Sequence, residues 1–135
     1  MNHILVVDDD AAIRDVVADI LQMSDYNVRT ASNGAEALDQ IQTDLPSAVL
    51  LDLMMPIMDG WEFLRRCRVI PSFKSLPVVV MSAAHDTASV AKELGAQAYL
   101  TKPFDMDTVL EIIARVAAAP APRQDQKGGV RAQTG

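Results

Sequence analysis

The chain has 135 residues, 50% of them hydrophobic and only 4% aromatic, with a net charge of −6. That composition fits one domain whose core is built from Val, Leu, Ile, Ala and Met. The acidic balance speaks against a nucleic-acid surface, the lone Cys67 excludes an internal disulfide, and no apolar run reaches the ~20 residues of a membrane span.

In chain order, "HILVV" is a short apolar run of strand length that ends in three acids, Asp8, Asp9 and Asp10. Ile13, Val16, Val17, Ile20 and Leu21 then recur at helical spacing, with Asp10 placed as the N-cap. "YNVRTA" reads as a weaker strand. Ala35, Leu38 and Ile41 mark a second helix, opened by Asn33 and Glu36 at capping-box spacing. "SAVLLDL" is a strand apolar on both faces, and Phe63, Leu64 and Cys67 mark the helix after it. "PVVVMS" is the fourth strand, and a short alanine-containing helix stops at Gly95. "AYLTK" is a weak fifth strand, and Val109, Leu110, Ile113 and Val116 form the last helix behind the N-cap Asp105.

The character changes near Ala119. Residues 119–135 are rich in Pro, Gly, Gln and charge, with little to bury, so they read as a disordered tail or linker after a domain over residues 1–118. Three basic residues against one acid in the tail leave a domain net charge of −8. The N-terminus has no basic region ahead of its apolar run, and the expected setting is cytoplasmic.

Five strand–helix pairs in strict alternation predict an α/β fold: a doubly wound, five-stranded parallel sheet. In the order 2-1-3-4-5 the chain reverses direction between strands 1 and 3, and ligands bind at the carboxyl ends of the strands flanking that point. Strand 1 brings Asp8 and Asp9 there, and strand 3 brings Asp52. Carboxylates gathered so closely repel unless a cation compensates them. Two remedies are visible: a divalent metal, for which Asp oxygens are hard ligands, and Lys102 at the end of strand 5. Ser82 adds a hydroxyl at the end of strand 4. Acids, metal, ammonium and hydroxyl together suit phosphoryl handling, in which a carboxylate can be the nucleophile.

With these residues on the page, the chain resembles the receiver domain of two-component response regulators, of the chemotaxis-regulator type. The resemblance covers residues 3 to about 118 and rests on "VVDDD", "LLDLMMPIMDG", "VVVMSA" and "KPF", in that order. It implies the flavodoxin-like (βα)5 arrangement and a phosphoacceptor at Asp52. Asp9 and Asp52 would bind Mg²⁺ directly, Asp8 through water, and the backbone carbonyl of Met54 would complete the metal site. Lys102 would pair with phosphoryl oxygens, and Ser82 and Tyr99 would be the switch residues. Pro56, Asp59 and Gly60 would shape the loop after strand 3, and the bond before Pro103 would be cis. The implied partners are a sensor histidine kinase or a phosphotransfer protein. A downstream protein, unnamed by the sequence, would read the helix 4–strand 5–helix 5 face, with neither nucleic acid nor membrane bound directly.

Met54 and Ala84 are apolar where the family tunes phosphoryl lifetime, so slow to moderate self-dephosphorylation is expected. The Ser82–Lys102 segment is slightly short for the family, which predicts a trimmed helix 4 or a trimmed loop leading into it. Other readings compete. An aspartate-nucleophile phosphatase usually has a second aspartate where Met54 stands. A flavodoxin would need a Ser/Thr/Gly phosphate loop in place of "DDDAA". A degenerate receiver, acting as a phosphorylation-independent interaction module, would not need intact Asp9, Asp52, Ser82 and Lys102. His3, His85 and the basic group Arg65, Arg66 and Arg68 are read as structural or solvated.

Overall fold

Apolar four- and five-residue runs become the strands of a single parallel sheet in a computed structural model that describes residues 3–83, 87–93 and 95–117. The elements are β1 (Ile4–Val7), α1 (Ala11–Met23), β2 (Val28–Ala31), α2 (Gly34–Thr43), β3 (Ala48–Asp52), α3 (Gly60–Val69), β4 (Val78–Ser82), α4 (Thr87–Glu93), β5 (Ala98–Thr101) and α5 (Met106–Ala117). A 3-10 turn, Pro71–Phe73, which the sequence did not announce, follows α3. The strand order is β2-β1-β3-β4-β5, as the alternation predicts. Ala84, His85 and the segment 119–135 lie outside the described residues.

The two-residue period of the strands sorts side chains between two cores. Leu5, Val7, Val49, Leu51, Val78 and Val80 face Ala37, Ile41, Phe63, Leu64 and Cys67 from α2 and α3, with Ala91 of α4. Ile4, Val6, Leu50, Val79, Met81 and Leu100 face Val17 and Leu21 of α1 and Val109, Ile113 and Val116 of α5. Central strands buried on both faces explain why "ILVV", "AVLLD" and "VVVMS" show no polar alternation. The edge strand β5 does show it. In β5, Ala98 and Leu100 are buried while Tyr99 and Thr101 face outward.

The helix ends follow from local chemistry. Asp10 accepts from the N–H groups of Ala12 and Ile13, and Asp105 accepts from Thr108 N–H. Asn33 accepts from Glu36 N–H, but Glu36 reaches back one residue further than a strict capping box, to Ser32 N–H at 2.9 Å. Helix α4 is described over Thr87–Glu93, and Gly95 after it stands at φ +75°. There Gly95 N–H bonds to Lys92 O and Ala96 N–H to Ala91 O, the paired bonds of a Schellman stop.

Two sequence readings change. Val16 is exposed on the solvent face of α1, although it shares the apolar spacing of that helix. The basic group on α3 also divides. Arg65 and Arg66 pair with Glu62 in solvent, but Arg68 turns inward onto main-chain carbonyls.

Gly60 fixes where α3 begins. A Cβ there would stand 2.6 Å from Asp52 O and 2.7 Å from Leu53 Cα, so only glycine lets α3 start against the end of β3. Gly60 N–H also donates to Leu53 O at 3.0 Å. Gly60→Ala is expected to lower the unfolding free energy by about 2–3 kcal/mol through overpacking. Urea denaturation checks this, and an unchanged midpoint would contradict the close approach.

Candidate functional site

Register brings the acids together. Val7 lies opposite Leu51, so Asp8 and Asp52, the next residue of each chain segment, come side by side at the carboxyl edge of the sheet. Asp9 follows on the rim. Oxygens of Asp8, Asp9 and Asp52 lie within 4.8 Å of one another, with Asp8 and Asp52 buried and Asp9 exposed. Lys102, one residue past β5, reaches across with Nζ 3.1 Å from Asp8 Oδ2 and 3.6 Å from Asp52 Oδ2.

Each buried carboxylate oxygen has a separate environment. Asp8 Oδ1 accepts from Asp10 N–H at 2.9 Å, while its Oδ2 takes Lys102. Arg14 Nη1 donates to the Asp8 carbonyl at 2.9 Å, tying α1 to the turn. Asp52 Oδ1 accepts from Met54 N–H at 3.3 Å, leaving Oδ2 toward the ammonium. Burial is the main cause that pushes the Asp52 carboxyl up to about 6, and the charge of Asp8 adds to it. Lys102 and the Met54 N–H oppose that rise.

The other expected residues fall at stated places. Ser82 is buried at the end of β4, opposite Thr101, one step beyond the Asp52–Met81 pair. Pro56 lies in the loop after β3, and Asp59 caps α3 through Glu62 N–H at 2.9 Å. The Lys102–Pro103 bond is cis. Tyr99 is 45% exposed, two positions below the rim on β5, and does not join the acidic cluster. Met54 is exposed beside Asp52, and Ile57 in the same loop is exposed at φ +70°. Sequence reading missed Ile57 because nothing in its residue type marks a left-handed turn. His3 is buried below the far end of β1, with Nδ1 4.0 Å from Asp44 Oδ2 and no hydrogen-bond partner.

The donor set suits a divalent cation. Three carboxylates faced by one ammonium leave two negative charges in excess, and all the donors are hard oxygens. Without a cation, the raised Asp52 carboxyl penalises the fold. The folded state holds a proton that the unfolded chain has lost between about pH 4 and 6, so stability falls as pH rises through that window and stays lower above it. Asp52→Asn removes the penalty and is expected to stabilise the metal-free protein by about 1–2 kcal/mol above pH 6, with a gain that shrinks toward pH 4. Thermal unfolding of both proteins in a chelator from pH 4 to 8 checks the sign; a gain larger at pH 4 than at pH 7 would contradict it.

Known proteins resemble this chain over most of its length. The response regulator receiver domain family model matches residues 4–114. The Synechocystis response regulator Rre1 is 39% identical over 118 residues, which cover 85% of this chain and 51% of that protein. Response regulator MprA of Mycolicibacterium vanbaalenii is 41% identical over 118 residues, covering 86% and 49%. The chain thus spans about half the length of the curated relatives it matches. Chemotaxis protein CheY4 of Vibrio cholerae superposes with a TM-score of 0.78 at 34% identity, covering 86% of this chain and 98% of that one. The receiver domain of NtrX from Brucella abortus gives 0.79 at 34% identity, covering 87% and 99%. The matched residues run from β1 into α5 and include the acidic edge of the sheet, and the chain belongs to the response regulator receiver domain family.

Proposed function

We propose that this chain is a phosphoacceptor of a two-component phosphorelay, taking a phosphoryl group on Asp52 from a histidine kinase or phosphotransfer protein. The observation that carries this reading is the meeting of Asp8, Asp9 and Asp52 within 4.8 Å, with Lys102 Nζ 3.1 Å from Asp8 and 3.6 Å from Asp52. A kit of this kind has little covalent chemistry to perform beyond one attack. It works by positioning and by offsetting the charge that spreads over the transferring oxygens.

Asp9, Asp52 and the Met54 carbonyl are the groups that would hold Mg²⁺, with Asp8 acting through water. Bound there, the metal supplies a second cation for the phosphoryl oxygens. Asp52 attacks phosphorus through one carboxylate oxygen. The O–P bond forms as the N–P bond of the donor phosphohistidine breaks, and the histidine nitrogen keeps the electron pair. Lys102 shifts from the Asp8–Asp52 pair toward the new phosphoryl oxygens. The hydroxyl of Ser82 donates to one of those oxygens, which opens space for Tyr99 to turn inward. Tyr99 borders an open groove of about 710 Å³ lined by α4, β5 and α5, the face proposed to gain or lose a downstream protein. The two conformations need differ by only a few kcal/mol for this to act as a switch.

We assign residues 1–118 to the receiver unit and residues 119–135 to a tail or linker, on the change of composition near Ala119. The single cysteine, Cys67, is buried, which suits a reducing cytoplasmic setting.

Incubation with acetyl phosphate and Mg²⁺ is expected to add one phosphoryl group to the wild type and none to Asp52→Asn, read by intact mass. Equal addition to both proteins would sink the assignment. The aspartyl phosphate is expected to decay over minutes or longer, because neither Met54 nor Ala84 can position an attacking water; decay within seconds would contradict this. The acids should also differ in weight. Asp9→Ala is expected to weaken Mg²⁺ binding by about tenfold or more through loss of a carboxylate ligand, and Asp10→Ala, a helix cap, by less than about twofold. Fluorescence of Trp61, the lone tryptophan and second residue of α3 just after the β3–α3 loop, reads both on titration with Mg²⁺.

A further inference from the structure

Arg68 stands near the end of α3, away from the acidic edge, and is the member of the α3 basic group that leaves solvent. Its Nη1 donates to the carbonyls of Phe73, Lys74 and Leu76 at 3.3, 3.2 and 3.0 Å. Its Nη2 donates to the carbonyl of Gly95 at 3.0 Å and to Gln97 Oε1 at 3.4 Å. No carboxylate among the described residues pairs with it. A partly buried guanidinium satisfied only by neutral oxygens is costly to desolvate, and burial lowers its pKa. The fork geometry explains what that cost secures. One planar group collects oxygens from two segments far apart in sequence, the α3–β4 connection and the α4–β5 turn.

The turn it holds is also closed by hydrogen bonds of its own. Gly95 closes α4 at φ +75° with the paired Schellman bonds. Gln97 Oε1 accepts a second hydrogen bond, from Val78 N–H at 2.7 Å, and Gln97 N–H donates to Val78 O at 2.9 Å. The exit of α4 is therefore bound to the first residue of β4 and, through Arg68, to α3. The acidic cluster and Ser82 lie at the opposite edge of the sheet from this turn.

We propose that Arg68 is a positioning residue for the phosphoryl response, fixing the C-terminal end of α4 so that a displacement at Ser82 tilts α4 and reaches Tyr99 instead of translating the whole α4–β5 segment. This rests on the reading of Asp52 as phosphoacceptor. A role confined to closing the α3–β4 loop would leave the pattern of movement on activation untouched, which separates the two.

The experiment uses the full chain and follows backbone amide shifts with Mg²⁺ alone and with Mg²⁺ plus beryllium fluoride. In the wild type, Ser82, Ala83 and Tyr99 are expected to shift on adding beryllium fluoride, and Gly95, Ala96 and Gln97 to shift at least about fivefold less. In Arg68→Lys, which keeps the charge but loses the fork, those three amides are expected to gain shifts about fivefold larger, with beryllium fluoride affinity within about twofold of wild type. Gln97→Ala removes one leg of the anchor and should show a smaller change of the same sign, should Arg68→Lys fail to fold. Movement of Gly95, Ala96 and Gln97 equal to that of Tyr99 in the wild type, or their silence in both variants, would overturn the anchor alone. Absence of any shift in the wild type would overturn the phosphoacceptor reading and this proposal with it.

Discussion

Two carboxylates, Asp8 and Asp52, are held side by side because their strands are buried on both faces and cannot slip. A one-residue slip in the pairing of β1 with β3 would turn every side chain of "ILVV" to the opposite core. Val7 opposite Leu51 therefore fixes Asp8 beside Asp52 as firmly as the hydrophobic cores fix the sheet. Fully burying a Val or Leu side chain is worth roughly 1.5–3 kcal/mol, and several such residues act on each strand, enough to hold like charges together. The strain appears at the carboxylates themselves, as the raised Asp52 carboxyl and the reach of Lys102 across the sheet edge.

Most of the surrounding architecture serves that edge. Gly60 lets α3 start against β3, which aligns the first turn of α3 with the end of the strand that carries Asp52. Arg14 and the Asp10 cap close the other side of the crevice. The opposite edge is built differently, from carbonyl acceptors gathered by one guanidinium. The domain thus has an edge loaded with charge and an edge tied by hydrogen bonds, with α4 and β5 running between them.

Asp8, Asp9, Asp52, Lys102 and Ser82 were legible because each lies within two residues of the end of an apolar run, and strand ends are positions that a sequence states clearly. The fold was legible for the same reason: strict alternation of strand and helix admits few right-handed topologies. Arg68 was misread with its neighbours as solvated, since its acceptors are main-chain carbonyls, a group every residue carries. Spacing alone does not say how wide the buried stripe of α1 is, so the exposure of Val16 was not legible. The left-handed Ile57 has no sequence signal either, being a residue type that disfavours that conformation.

The sequence by itself determined which residues form strands and helices, the strand order, and which acids arrive at the carboxyl edge. Periodicity and chain connectivity are local facts, and those results follow from them. Only the tertiary structure decided the distances among Asp8, Asp52 and Lys102, the rise of the Asp52 carboxyl to about 6, the outward position of Tyr99 and the inward turn of Arg68. Each of these depends on desolvation or on hydrogen bonds between segments far apart in the chain, and neither exists until the elements pack.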